Sequence, residues 1–248
     1  MAGKHVRPGP LRPTDRPPLT REAVIIAATS FADERGLETL SMRKLAEIVG
    51  VEAMSLYNHV ANKDDLLDGM VDMVIAEIAL PDAGADWKAA MRRRAISAHE
   101  MLLRHPWASV LIVSRINVGP AMLRYMNATI GSLRAGGLSY AMADHAISAL
   151  DSHVYGFTLL KANFPIAASE YAQAGAQFMP MLPADVYPHA RALTEEVISG
   201  RHTGINELTF GLDLLLDGLE RLCEGQHRST RTPSPQRRPR GNTKRGKI

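Results

Sequence analysis

The stretch from Ser41 to Val60 carries Arg43, Lys44, Ser55, Tyr57 and His59, with Lys63 just beyond it. Guanidinium, ammonium, hydroxyl and imidazole groups all donate well to phosphate oxygens, and a guanidinium can also engage a guanine edge in bidentate fashion. Each residue alone has a plainer reading. Arg43 and Lys44 would be ordinary surface charge, His59 a surface imidazole, and Tyr57 a ring packed beneath a helix with only its hydroxyl outward. Gathered around Gly50, the set points instead to DNA, provided that one narrow element presents it.

Two short helices meet that requirement. Ser41 caps a helix running through Val49, Gly50 and Val51 form a tight turn because glycine accepts positive φ, and a second helix runs from Glu52 to about Asn58. Leu45, Ala46, Val51 and Leu56 fall where the two helices bury against each other and against a preceding helix, Thr20 to Arg35, which Thr20 caps and Gly36 ends. The second short helix is left free to project. Its first residues, Glu52 to Ser55, would enter a major groove, and the residues at its end would meet the flanking backbone. Asn62 then opens a longer helix, Lys63 to Leu80, ended by Pro81.

Helical periodicity continues through the rest of the chain, with no sustained alternation of the kind a half-buried strand needs. The expected elements are Asp86 to His105, Pro106 to Ile116, Pro120 to Arg134, Ser139 to Asn163, a pair around Tyr171 and Ala190, and Ile205 to Glu224. The fold class is therefore all-α: an N-terminal three-helix helix-turn-helix DNA-binding domain and a C-terminal helical domain. The expected bounds are a disordered basic arm over 1–19, the DNA-binding domain over 20–66 with a linking helix over 63–80, the helical body over 81–225, and a disordered basic tail over 226–248.

Leu19-Thr-Arg-Glu, Ser41-Met-Arg-Lys-Leu-Ala, Ser55-Leu-Tyr-Asn-His-Val and Asn62-Lys-Asp-Asp-Leu-Leu, in this order, resemble the DNA-binding domain of the tetracycline repressor family. Ala146-Ile-Ser-Ala-Leu followed by Gly156, and the run from Phe210 to Leu219, resemble the family's ligand-binding domain. The resemblance implies that Arg43 donates to a base edge and that Tyr57, His59 and Lys63 contact phosphates, with Ser55 suited to either. Ala53 and Met54 occupy base-facing positions where the family's founding repressor has an amide side chain and a proline. Apolar groups there can read only a thymine methyl or shape.

The resemblance also implies that the two helices bearing Gly156, Gly211, Leu215 and Gly218 form a four-helix bundle between subunits, giving a homodimer whose paired heads read a pseudopalindrome. The plainer alternative is that these faces only fill the monomer core. Between Asp86 and Asn163, Met101, Met122 and Met126 are candidates for an adaptable pocket for a small-molecule effector, although helical methionine is more often core filler. Aligned with the family, Ile112 stands where a magnesium-binding histidine belongs and Leu160 where a nearby glutamate belongs. Neither can ligate a hard cation, so a largely apolar effector bound without metal or cofactor is expected, with Asp151 and Tyr155 as orienting polar groups.

Other classes fare less well. No glycine-rich phosphate loop, Gly-x-Ser-x-Gly elbow or His-Glu-x-x-His pair is present, Cys223 stands alone, and His99 and His105 are six residues apart on different helix faces. The alternatives are a helical small-molecule-binding enzyme, which would turn over a bound compound without affecting DNA, and an interaction adaptor with a non-functional head, which would lack salt-dependent DNA affinity. The net charge of +3 divides into +3 over residues 1–19, +8 over 226–248 and −8 between them, so the ends could touch phosphates without reading sequence or simply be solvated. With no span of about 18 uncharged apolar residues and no apolar leader, a cytoplasmic chain with no membrane partner is expected.

Overall fold

The computed structural model describes residues 18–82, 84–204 and 206–230, apart from the side chains of 168 and 225–230; the expected basic arm up to 17 and the basic tail from 231 lie outside the described residues. Among the described residues the protein is all-helical. Helices α1 (Arg21–Arg35), α2 (Met42–Val49) and α3 (Ala53–Leu56) form the head, α4 (Lys63–Ile75) leaves it, and α5 (Trp87–Arg104), α6 (Ala108–Ser114), α7 (Pro120–Ala135), α8 (Tyr140–Asn163), α9 (Tyr171–Phe178), α10 (Pro188–Ile198) and α11 (Leu208–Thr230) build the body.

Local chemistry sets these boundaries. The Thr20, Ser41, Asn62, Asp86 and Ser139 side chains each accept a hydrogen bond from the backbone N–H three residues on, starting α1, α2, α4, α5 and α8. Helix α7 has no side-chain cap of its own, and Asp72 of α4 supplies one, its carboxylate accepting from the N–H groups of Ala121 (3.1 Å) and Met122 (2.9 Å). Gly119 permits that approach, because a Cβ there would collide with the Asp72 side chain.

Helix α6 is two residues shorter at each end than expected, and three other elements differ from their sequence-based bounds. Helix α3 is only one turn long, since the N–H groups of Tyr57, Asn58 and His59 bond carbonyls three residues back and tighten the chain into turns. Helix α4 ends at Ile75, where the same tightening occurs at Glu77 and Ile78; Ile78 then turns into the core, well before Pro81. Helix α11 starts at Leu208 and its backbone continues to Thr230, beyond the expected end at Glu224; Ile205 lies outside the described residues.

One continuous apolar core joins head and body. Val24, Ala28, Leu45, Leu56 and Leu66 fill the head, Met70, Val71 and Val74 carry the core along α4, and Met91, Met101, Leu102, Leu150, Leu212 and Leu216 continue it in the body. Helix α5 is the body's central strut, packing on α7, α8 and α11. Three consecutive arginines on it, pointing about 100° apart, reach three separate carboxylates. Arg92 pairs with Asp213 of α11 (2.8 Å), Arg93 with Asp82 (3.5 Å) and Arg94 with Asp151 of α8 (2.6 Å). Lys88 adds Asp217 and Glu220, both at 2.6 Å.

Candidate nucleic-acid interface and effector site

The head leaves its candidate donors exposed or half-exposed. Gly50, at φ 74°, bends the chain between α2 and α3, and the N–H groups of Gly50 and Val51 both bond Ala46 O. Leu45 and Leu56 are fully buried beneath the turn, so the outer sides of both helices face solvent. The Arg43 side chain is 88% exposed, with only an i,i+4 contact to Glu47 at 3.3 Å. Met54 is exposed at the outer face of α3, Ala53 and Ser55 are half-buried on either side of it, Tyr57 is exposed at the helix end, and His59 is half-buried in the following turn.

Lys63 has a structural task as well. Its Nζ donates to Leu40 O at 3.0 Å, tying the start of α4 to the segment that enters α2. The head is fastened to α4 a second time by Arg21, whose guanidinium bonds both Asp65 oxygens, at 2.7 and 3.3 Å.

Two polar seams connect α4 and the head to the body. Arg115, after α6, bonds Asp64 Oδ1 (3.0 Å) and Asp68 Oδ1 (2.9 Å) of α4. On the other side Asp33 of α1 accepts from Trp107 Nε1 (2.7 Å) and meets His105 Nδ1 (2.8 Å), while His105 Nε2 lies 3.2 Å from Glu77. Burial acts to raise the Glu77 carboxyl, but the Arg104 hydrogen bond and the nearby His105 outweigh it and hold the group below its ordinary value. Trp107, at the start of α6, thus bridges the body to the head.

The expected pocket residues divide. Met101 and Met122 are buried, and Ile112, Met126 and Tyr155 are partly buried against the same core. Asp151 faces inward to Arg94. Leu160 is 71% exposed, because α8 turns it away from α5 and α7, so it does not join the others. The sequence reading missed Arg94 and Tyr125, which are buried beside Asp151. The signal was present: Met91, Arg94, Ala95 and Ala98 lie on one helical stripe, and all are buried. Nearby, His99 Nδ1 is 2.6 Å from Thr158 Oγ1, which itself donates to Val154 O; burial, with Lys161 second, lowers the His99 pKa below 6.5. A separate apolar cleft of about 440 Å³ lies between α9 and α10, lined by Phe164, Tyr171, Phe178, Leu193 and Val197, where no site was expected.

The expected dimer residues also divide. Gly156 on α8 and Gly218 on α11 have open space beside them, and Leu159, Leu160, Phe210, Leu214 and Leu222 on the same two helices are exposed. Leu215 is half-buried against the core. Gly211 faces inward within its own chain, because a Cβ there would collide with the His153 ring of α8, so its small size serves the α8–α11 approach. Among the described residues, no group of three or more His, Cys, Asp or Glu side chains is arranged to hold a metal ion, and no helix is long and apolar enough to cross a membrane.

A three-helix head with a projecting turn-linked helix, set on an all-helical body, defines a helix-turn-helix transcription regulator. Residues 24–70 match the model for bacterial regulatory proteins of the tetR family, and residues 80–223 match the tetracyclin repressor-like C-terminal domain. The chain belongs to the tetR family of ligand-responsive DNA-binding regulators. It is 33% identical over 228 residues to the HTH-type transcriptional repressor DrrR1 of Streptomyces coeruleorubidus, spanning 88% of this chain and 83% of that protein. It is also 33% identical over 173 residues to the tetracycline repressor protein class D of Escherichia coli, spanning 66% and 76% of the two chains. The crystal structure of the Streptomyces coelicolor TetR family protein ActR in complex with actinorhodin superposes with a TM-score of 0.71 at 28% identity, covering 84% of this chain and 99% of that one.

Proposed function

We propose that the protein is a homodimeric repressor, released from a pseudopalindromic operator by a small, largely apolar effector. The observation that carries this reading is the exposure of Arg43 and the first residues of α3 on a head whose core is otherwise dry. In this reading Arg43 donates to a base edge, Ala53, Met54 and Ser55 face the major groove, and Tyr57, His59 and Lys63 hold phosphates. The head spans 20–66 and the effector-binding and dimerising body 81–225. The bare faces of α8 and α11 around Gly156 and Gly218 form the dimer contact, where small residues allow close helix approach. The protein acts in the cytoplasm, where the DNA is, and performs no catalysis.

The structure supports a route from effector to head. A molecule lodged among α5, α7 and α8 shifts the start of α7, which Asp72 of α4 caps, and α4 carries the head through Arg21–Asp65 and Lys63–Leu40. Turning α4 moves the recognition helices away from the roughly 34–36 Å spacing of successive major grooves. An effector favouring that splayed arrangement by about 2.7 kcal/mol weakens operator affinity roughly a hundredfold.

The test begins with selection of bound sequences from a random double-stranded DNA pool by the purified full chain. An inverted repeat is expected, bound by a dimer in sedimentation, with actinorhodin as the first effector to be tried for release. A selected pool without sequence preference, or a monomer on DNA, would overturn the reading.

A further inference from the structure

Three helices bring an unsatisfied polar cluster together in the body core. Arg94 of α5 is fully buried, and Nη2 donates to Asp151 Oδ1 of α8 at 2.6 Å. Its guanidinium carbon lies 4.7 Å from the centre of the Tyr125 ring of α7. Arg94 Nε, Arg94 Nη1 and the Tyr125 hydroxyl are buried with no hydrogen-bond partner. Tyr125 is itself only 2% exposed. Nothing in the reading head uses these groups, and a folded core rarely leaves such donors idle.

The idle atoms specify what would satisfy them. A guanidinium only donates, so its free N–H groups require acceptor oxygens. Asp151 already neutralises the Arg94 charge. A second anion would leave a net negative charge in a low-dielectric core, whereas an uncharged acceptor would not. Met101, Met122 and Leu150, buried in the same core, suit an apolar frame around such an oxygen.

We propose that the effector belongs to the class of apolar molecules bearing an uncharged carbonyl oxygen, which accepts from Arg94 and Tyr125. This rests on the reading of the body as the effector-binding part, and it narrows that reading to a ligand class and two recognising residues. Arg94 and Tyr125 bind the oxygen, and Asp151 positions the guanidinium.

Equilibrium dialysis of the purified full chain tests it with three probes of one frame: xanthone, which carries a ketone, xanthene, which lacks it, and xanthene-9-carboxylate, which replaces it with an anion. Xanthone should bind at least tenfold more tightly than either of the others. Tyr125→Phe, nearly isosteric, should cut that preference severalfold, and Arg94→Met should abolish it. Equal binding of xanthene and xanthone, preference for the carboxylate, an undiminished ketone preference in Tyr125→Phe, or failure of all three to bind would overturn the proposal. Because dialysis contains no DNA, this result can fail while operator selection succeeds, and the reverse.

Discussion

The head and the body solve burial differently. Among the described residues, the head buries Thr29 as its one polar side chain and sends every charge to the surface, so its core is close to a dry packing of Val24, Ala28, Leu45, Leu56 and Leu66. The body encloses Arg94, His99, Thr129 and Thr158 and leaves donors on Arg94 and Tyr125 unused. A core that is apolar apart from the single unpartnered Thr29 hydroxyl has one good packing and holds its surface residues in fixed relation, as a DNA reader requires. A core with idle donors has a second arrangement to gain when an acceptor arrives, which is the property of a sensor.

Breaking the pair inside the body should produce the largest effect. Asp151→Ala leaves the Arg94 guanidinium buried without its counter-ion, a change that costs about 3–5 kcal/mol. The lower end is expected, because the Asp151 side chain retains 20% exposure and water can enter beside it. Thermal or urea unfolding measures the loss, and Arg94→Met should lose much less. Equal losses would contradict the argument that the more deeply buried charge is the costlier one to leave unpaired.

In the head, Leu56→Ala removes a side chain with no exposure at the base of α3 and should cost about 2–5 kcal/mol. Operator binding should fall with the folded fraction, while xanthone binding at the remote Arg94 site persists under conditions where the body stays folded. Trp107→Phe tests the seam between the regions by deleting the 2.7 Å bond to Asp33, a hydrogen bond to a charged group worth about 1.5–3 kcal/mol. Its signature should be weaker coupling between effector and DNA in paired titrations, with each ligand still bound alone.

The smallest effect is expected from pH. His99 is held neutral in the fold, with its pKa below the ordinary 6.5, so the unfolded chain takes up its proton first as pH falls. The His99 contribution to stability is therefore full above about 6.5 and is lost progressively below it, and His99→Gln should flatten that limb of the stability profile. An unchanged profile would assign the acid sensitivity to other groups.

The head was legible in the sequence because its logic is local. Ser41, Gly50 and the spacing of Leu45, Ala46 and Leu56 determine two helices and a turn within sixteen residues of one another. The body was legible in its helices but not in its pairings. Asp151 could be named as an inward candidate, yet Arg94 sits in the run Arg92-Arg93-Arg94, which reads as solvated charge unless the apolar stripe of Met91, Ala95 and Ala98 is followed through it, and its partner emerges only when α8 is placed beside α5. Gly211 illustrates the same limit: a glycine signals close approach, but only the neighbouring His153 shows that the approach is within the chain. The early end of α4 depended on Ile78 turning inward, a tertiary contact that overrides the helical pattern up to Pro81.

The account rests most directly on the exposed arginine of α2. Fluorescence anisotropy of wild type and Arg43→Ala on the selected operator, and on variants changed one base pair at a time, across a salt series, tests that role. The account predicts that Arg43→Ala costs about 1–3 kcal/mol and relaxes preference at one base pair in each half-site, whereas Lys63→Ala weakens all sequences alike and flattens the salt dependence. Equal operator affinity for wild type and Arg43→Ala, with sequence preference intact, would contradict it.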